Sequence, residues 1–137
     1  MKWLIVLAAL LVGGCSHDIE PTQEDLKTLW EQQNIFPAHY KDDLLAFLRT
    51  YLNDPTHIKE AHVSQPVRKK MGLGERYIVC IRFNARNSDG KYMGNKEGAA
   101  VYVDGKLNRY VSEAREVKAL CQDASLAPFP ELEKLTR

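Results

Sequence analysis

The chain has 137 residues, with 19 Lys and Arg against 18 Asp and Glu, a formal net charge of +1, 45% hydrophobic residues and 27% charged ones. This composition describes a folded chain long enough for one ordinary domain with a real core, and excludes a disordered chain. The charge balance lacks the basic excess that nucleic-acid binding requires, so no nucleic-acid partner is expected.

The N-terminus opens with Met1-Lys2, followed by an unbroken apolar run from Trp3 to Val12 and then Gly13-Gly14-Cys15-Ser16. A membrane-spanning helix needs about twenty apolar residues, so this run is too short to cross. A positive residue, a short apolar stretch and small residues in that order read as a secretory signal. The segment Val12-Gly13-Gly14-Cys15 resembles the lipobox of bacterial lipoprotein signal peptides. That resemblance implies cleavage after Gly14, a diacylglyceryl thioether on Cys15 and acylation of the new amine. Residues 1–14 are then signal peptide, 15–21 the lipidated cysteine and its tether, and 22–137 one globular domain. Ser16 after the cysteine favours the periplasmic face of the outer membrane over the inner membrane.

Once Cys15 is committed to lipid, Cys80 and Cys121 remain. An even pair in an oxidising compartment is expected to form a disulfide, the alternative being two separate buried thiols. Closing that loop contributes about 4 kcal/mol in the chain-entropy picture. The tether from Ser16 to Pro21 reaches at most about 20 Å, which keeps the domain close to the membrane.

Thr22 is placed to cap a first, short helix, with Glu24 and Asp25 in its first turn and Leu26, Leu29 and Trp30 on one stripe. Pro37 ends it. A second, core helix is expected over 38–53, where Leu44, Leu45, Phe47, Leu48, Tyr51 and Leu52 form a broad apolar face. Asn53-Asp54-Pro55 stops it. The period then changes to two, and Ile58 to Val67 reads as an edge strand because Pro66 lies near its end. Val67 to Gly74 reads as a basic, glycine-rich connection, whose Arg68-Lys69-Lys70 could touch anionic head groups. The clearest strand is Arg76 to Arg86: Tyr77, Val79, Ile81, Phe83 and Ala85 make a core face, and Ile78, Cys80, Arg82, Asn84 and Arg86 a mixed one. A long turn-rich loop over 87–96 leads to a strand from Ala99 to Val103. Asp104-Gly105 then signals a hairpin into Leu107 to Val111. A three-residue loop is favoured, since it aligns Ala99 and Val101 with Leu107 and Val111, whereas a two-residue loop pairs Val101 with Asn108. Ser112 is a possible cap for a final short helix with Ala114, Val117, Leu120 and Cys121 on one side. Phe129 and Leu132 in an extended tail are available to pack.

The expected fold is α+β: one main amphipathic helix, with a short N-terminal one, on an antiparallel sheet of about four strands. It resembles the cystatin-like and nuclear-transport-factor-like arrangements. The stretches Tyr77 to Cys80, Asn84 to Asn87, Gly90 to Tyr92 and Gly94 also resemble a segment of small predicted bacterial lipoproteins of a family without established function.

If Cys121 brings the last helix over Cys80, the apolar half of the mixed face is covered and Arg82, Asn84 and Arg86 stay open, with Tyr102, Asn108 and Tyr110 beside them. Arginines with amides and tyrosines suit a carboxylate, phosphate or glycan, set against the plainer reading of a solvated sheet face. Tyr92 in the glycine-rich loop is a second candidate. His57 and His62 lie on opposite faces of one strand and make a poor metal pair. No nucleophile elbow or phosphate-cradling glycine motif occurs, and no cofactor or metal is expected. The functional expectation is a membrane-anchored envelope lipoprotein, a non-catalytic binding or structural module. It contacts the bilayer through Cys15 and an envelope protein or glycan through its sheet. The alternative is a small ligand-binding or enzymatic domain with a pocket between helix and sheet, for which Tyr77 is the only polar handle on the core face.

Overall fold

A computed structural model describes residue 14 and residues 19–137. Cys15 and the apolar run before Gly14 lie outside the described residues. Among the described residues no helix is long and apolar enough to cross a membrane.

The helices form where local chemistry asks for them. The first, α1 (Gln23–Gln32), starts with a reciprocal cap: Thr22 Oγ1 accepts from the Asp25 amide and Asp25 Oδ2 accepts from the Thr22 amide. Helix α2 (Tyr40–Tyr51) has acidic Asp42 and Asp43 in its first turn and buries Leu44 and Leu48 completely. Helix α3 (Ala114–Cys121) is capped by Glu113, whose carboxylate accepts from the Arg115 and Glu116 amides; Ser112 is not the cap. Ala114 points to solvent, while Val117 and Leu120 are buried. A last turn, α4 (Pro130–Glu133), completes the set.

The sheet has six antiparallel strands where about four were expected. They are β1 (Asp54–Ser64), β2 (Val67–Met71), β3 (Gly74–Arg86), β4 (Tyr92–Val103), β5 (Lys106–Val111) and β6 (Leu126–Pro128), in the order β5-β4-β3-β1-β6, with β2 also on β3. Three corrections to the sequence reading follow. The basic segment is a strand, because Gly72, at φ +58°, lets the chain turn from Met71 straight into Gly74. Loop 87–96 shrinks to a tight turn, because Asn87 Oδ1 accepts from the Asp89 and Lys91 amides and starts β4 at Tyr92. The strand ahead of Pro66 is not an edge: β1 pairs with β3 on one side and with the tail strand β6 on the other. Pro66 falls between β1 and β2, which follow one another along the same side of β3. There Ser64 Oγ accepts the Cys80 amide that neither strand reaches.

Bulges decide which side chains face inward. His57 and Glu60 have positive φ, and the β1–β3 register shifts twice between Asp54 and His62. Ile58 therefore joins Ala61 and Val63 in the same core despite opposite numbering parity. At the β4–β5 hairpin the turn is the two-residue Asp104-Gly105, with Val103 opposite Lys106 and Tyr102 opposite Leu107. A bulge follows at once and places Val101 opposite Arg109 and Ala99 opposite Val111. The loop is shorter than expected, yet Ala99 and Val111 still meet.

Each face of the sheet has its own core. Below α2 lie Val79, Ile81, Phe83, Ala100, Tyr102, Phe129 and Leu132 with Leu44 and Leu48. Below α3 lie Ile78, Cys80, Ala99, Val101 and Val111 with Val117 and Leu120. Cys80 and Cys121 are disulfide-bonded, with Cα atoms 5.8 Å apart.

Candidate functional site

On an antiparallel sheet, residues directly opposite one another share a face. Beyond the cover of α3, Arg82 therefore stands between His62 of β1 and Glu97 of β4, and Asn84 between Lys59 and Asn95. The expected polar half-face exists, but its neighbours are not the expected ones. The odd sum of the β3–β4 register puts Tyr102 opposite Tyr77, and Ala100, opposite Val79, faces Tyr110. Tyr102 and Tyr110 thus belong to the α2 side, while Asn108 is exposed on the edge strand. The Tyr102 hydroxyl donates to the Tyr40 carbonyl at 2.9 Å, and burial holds both phenols in the protonated form.

The polar atoms of the remaining candidates are mostly used within the chain. Asn84 Oδ1 accepts from the amide of Gly94, the residue at the β4 bulge, at 3.0 Å. Arg86 grips Asp54 through Nε and a terminal nitrogen, at 2.8 and 2.6 Å, and also reaches His57 Nδ1 at 2.8 Å. The Thr56 hydroxyl and amide, with Arg86 beside them, push the Asp54 carboxyl down to about 2. The Tyr92 hydroxyl donates to the His57 carbonyl at 2.6 Å, and the Lys59 ammonium lies 4.2 Å from the Tyr92 ring centre. Arg86 and Tyr92 thus lock the corner where β1 enters the sheet. Among the described residues neither Arg82 nor Glu97, which stand opposite one another, makes an ion pair.

The basic segment is similarly spent. Arg68 pairs with Glu75 at 3.7 Å and Lys69 with Asp123, so β2 presents less free positive charge than its sequence suggests.

The sequence reading missed a groove of about 350 Å³ on the α2 side, where the helix ends before the sheet does. Tyr51, Leu52, Phe83, Ala85, Met93 and Tyr110 line it, and Lys96 stands at its rim. Tyr51 and Tyr110 form its aromatic wall, and Phe47 packs on both rings, the three ring centres lying 4.9 to 5.3 Å apart. Tyr51 and Leu52 were legible as the last two residues of the second helix's apolar face. Met93 was not, because its segment reads as loop. Gly98 helps to shape the wall, since a Cβ there would collide with the Tyr110 ring.

At the centre of the helix–sheet interface Leu44 and Leu48 are fully buried in one core with Val79 and Ile81, and Tyr77 packs edge-on against Phe36. Among the described residues no three His, Cys, Asp or Glu side chains converge as a metal site requires. The groove offers apolar and aromatic contact, and the other face offers the Arg82 guanidinium with the Glu97 carboxylate opposite it. No family model, curated protein or solved structure matches the chain.

Proposed function

We propose that the chain is a bacterial envelope lipoprotein, anchored through acylated Cys15, whose folded part is a non-catalytic binding module. The observation that carries this reading is the cysteine arrangement. Val12-Gly13-Gly14-Cys15 has the form of a lipobox, and the two other cysteines are bonded to each other, as export to an oxidising compartment favours. Ser16 favours the outer membrane, and membership among small predicted bacterial lipoproteins accords with both. The layering of α2 across the sheet accords with a cystatin-like or nuclear-transport-factor-like arrangement, with β2, β6 and α3 as additions.

Binding to an envelope protein or glycan falls to the Arg82 half-face or to the aromatic groove, both on rigid strands. A second reading, a small ligand-binding or enzymatic domain, is favoured by the groove beside Tyr51 and Tyr110. It is disfavoured by the filled centre of the helix–sheet interface.

Palmitate labelling with membrane fractionation tests the anchor. The wild-type chain should carry label and sediment with membranes, and Cys15→Ser should lose both. A Cys15→Ser chain that stays in the membrane, or an unlabelled wild type, overturns the reading. Crosslinking in the intact envelope, compared between wild type and Arg82→Ala, then identifies the partner of the half-face.

A further inference from the structure

Large apolar side chains left in water fall into two groups, with Tyr51, Tyr92 and Met93 near the groove and Val67 on β2 on the one hand, and a larger set at the opposite end of the sheet on the other. Ile19 is 90% exposed, and Leu29, Ile35, Phe36 and Leu73 are between 41% and 52% exposed. All of these belong to α1, to its flanks or to the β2–β3 turn. The antiparallel order explains why they meet: β3 begins and β4 ends at the same end of the sheet, so the turns at Gly72-Leu73 and Asp104-Gly105 lie side by side.

Helix α1 and the segment after it are fastened across that end. The Trp30 ring lies on Gly72, where a Cβ would come within 2.5 Å of it, and its Nε1 donates to the Glu75 carbonyl at 3.1 Å. The buried Arg76 stacks on the same ring, 3.8 Å from its centre, and donates to the Trp30 carbonyl at 2.7 Å. Further along, the Asp104 amide donates to the Gln33 carbonyl at 2.8 Å, and Ile35 lies against Gly105. A firmly held platform thus presents apolar side chains outward, although α1 itself has no fully buried residue.

We propose that this end of the domain rests in the interfacial layer of the bilayer, with Leu29, Ile35, Phe36 and Leu73 at head-group depth. The proposal rests on anchoring through Cys15. The stretch from Cys15 to Thr22 reaches at most about 24 Å, and it enters the fold at α1, so the apolar end is the part nearest the acyl chains. The apolar side chains stand on a helix and two turns, beside a polar pocket lined by Glu31, Asn34, Arg68, Gly74 and Glu75 rather than inside it, which fits a fluid partner better than a peptide. Glu31, Glu75 and Asp104 lie there with Arg68 and Lys106, and α1 adds Glu24, Asp25 and Lys27, so no basic excess draws this end to anionic lipid and the contact is apolar in origin. Interfacial elements of this kind sit about 5–10 Å into the head-group and acyl boundary.

Cleavage after Gly14 removes Trp3 and leaves Trp30 as the sole tryptophan, at the centre of the platform. The mature lipoprotein, purified from membranes and reconstituted into phosphatidylcholine vesicles, is compared with the same protein in vesicles brominated near the head of the acyl chains. An emission loss of about twofold is expected for a ring held at the boundary where tryptophan concentrates. The variants Leu29→Asp and Leu73→Asp should still sediment with the vesicles and melt as the wild type does, but lose the quenching. Unquenched Trp30 in a protein that sediments with the vesicles overturns the docking while leaving the anchor intact. Protein that fails to sediment, or whose mass retains residues 1–14, overturns the anchor and the docking with it.

Discussion

Under α2 the sheet is closed by a twelve-residue helix whose Leu44 and Leu48 sink into the larger core, with Tyr40, Leu45 and Phe47 packed around them. Under α3 it is closed by an eight-residue helix that contributes only Val117 and Leu120 as fully buried side chains. The short helix has a cap at Glu113 and an exposed Arg109–Glu116 ion pair at 2.8 Å, and exposed pairs contribute little. What it has in addition is a covalent bond, from its last residue to the strand below it. One face is held by burial, which needs area. The other is held by lowering the entropy of the unfolded chain, which needs only two well-placed cysteines.

That contrast can be broken first at the disulfide. Changing both Cys80 and Cys121 to Ala should lower unfolding stability by about 4 kcal/mol, read from the urea midpoint. Amide exchange should accelerate first in α3, with α2 still protected. Uniform acceleration across both helices would mean that the two cores form one cooperative unit. Next in size, Leu48→Ala should cost about 3 kcal/mol through the cavity it leaves. Its effect on exchange should appear in α2 and α3 together, because the α2 core supports the strands both helices share. A third substitution touches neither cover. Gly72→Ala places a side chain at positive φ and against the Trp30 ring, and should cost about 1–2 kcal/mol while shifting tryptophan emission towards the red. Exchange in α2 and α3 should stay as in the wild type.

The smallest expected effect is electrostatic and lies at the corner where β1 enters the sheet. The Asp54 carboxyl is held at about 2, against 3.8 for the free group, first by the Thr56 hydrogen bonds and then by Arg86. A depressed carboxylate stabilises the fold fully above its unfolded pKa and loses that contribution as pH falls through the folded one. Acid titration of the wild type should therefore lose stability between roughly pH 4 and pH 2, and Asp54→Asn should show a flatter profile in that window. Equal slopes would mean that the Asp54 contacts with Thr56 and Arg86 do not survive in solution.

The candidate site was legible in proportion to how local its cause was. Cys80 and Cys121 could be paired by counting once Cys15 was set aside. Arg82, Asn84 and Arg86 could be placed on one strand face by alternation alone. That Arg86 belongs to Asp54 and His57, or that Asn84 serves a bulge at Gly94, depends on residues from other strands and on registers that shift. The tyrosines were misplaced for the same reason: Tyr102 and Tyr110 could not be assigned to a face before the numbering parity between β3, β4 and β5 was known.

By itself the sequence determined the first three helices and the strongest strand, and made a Cys80–Cys121 bond the expected pairing. Capping and periodicity of 3.6 or 2 act through neighbours along the chain. Only the tertiary structure decided that Val67–Met71 is a strand, that β4 begins at Tyr92 and that the tail pairs with β1. A helix satisfies its own backbone, whereas a strand is defined by the partner whose carbonyls and amides it finds. The same dependence on a partner left a groove where α2 stops short of the sheet, and brought Leu29, Ile35, Phe36 and Leu73 to the end where α1 and the segment after it meet two turns.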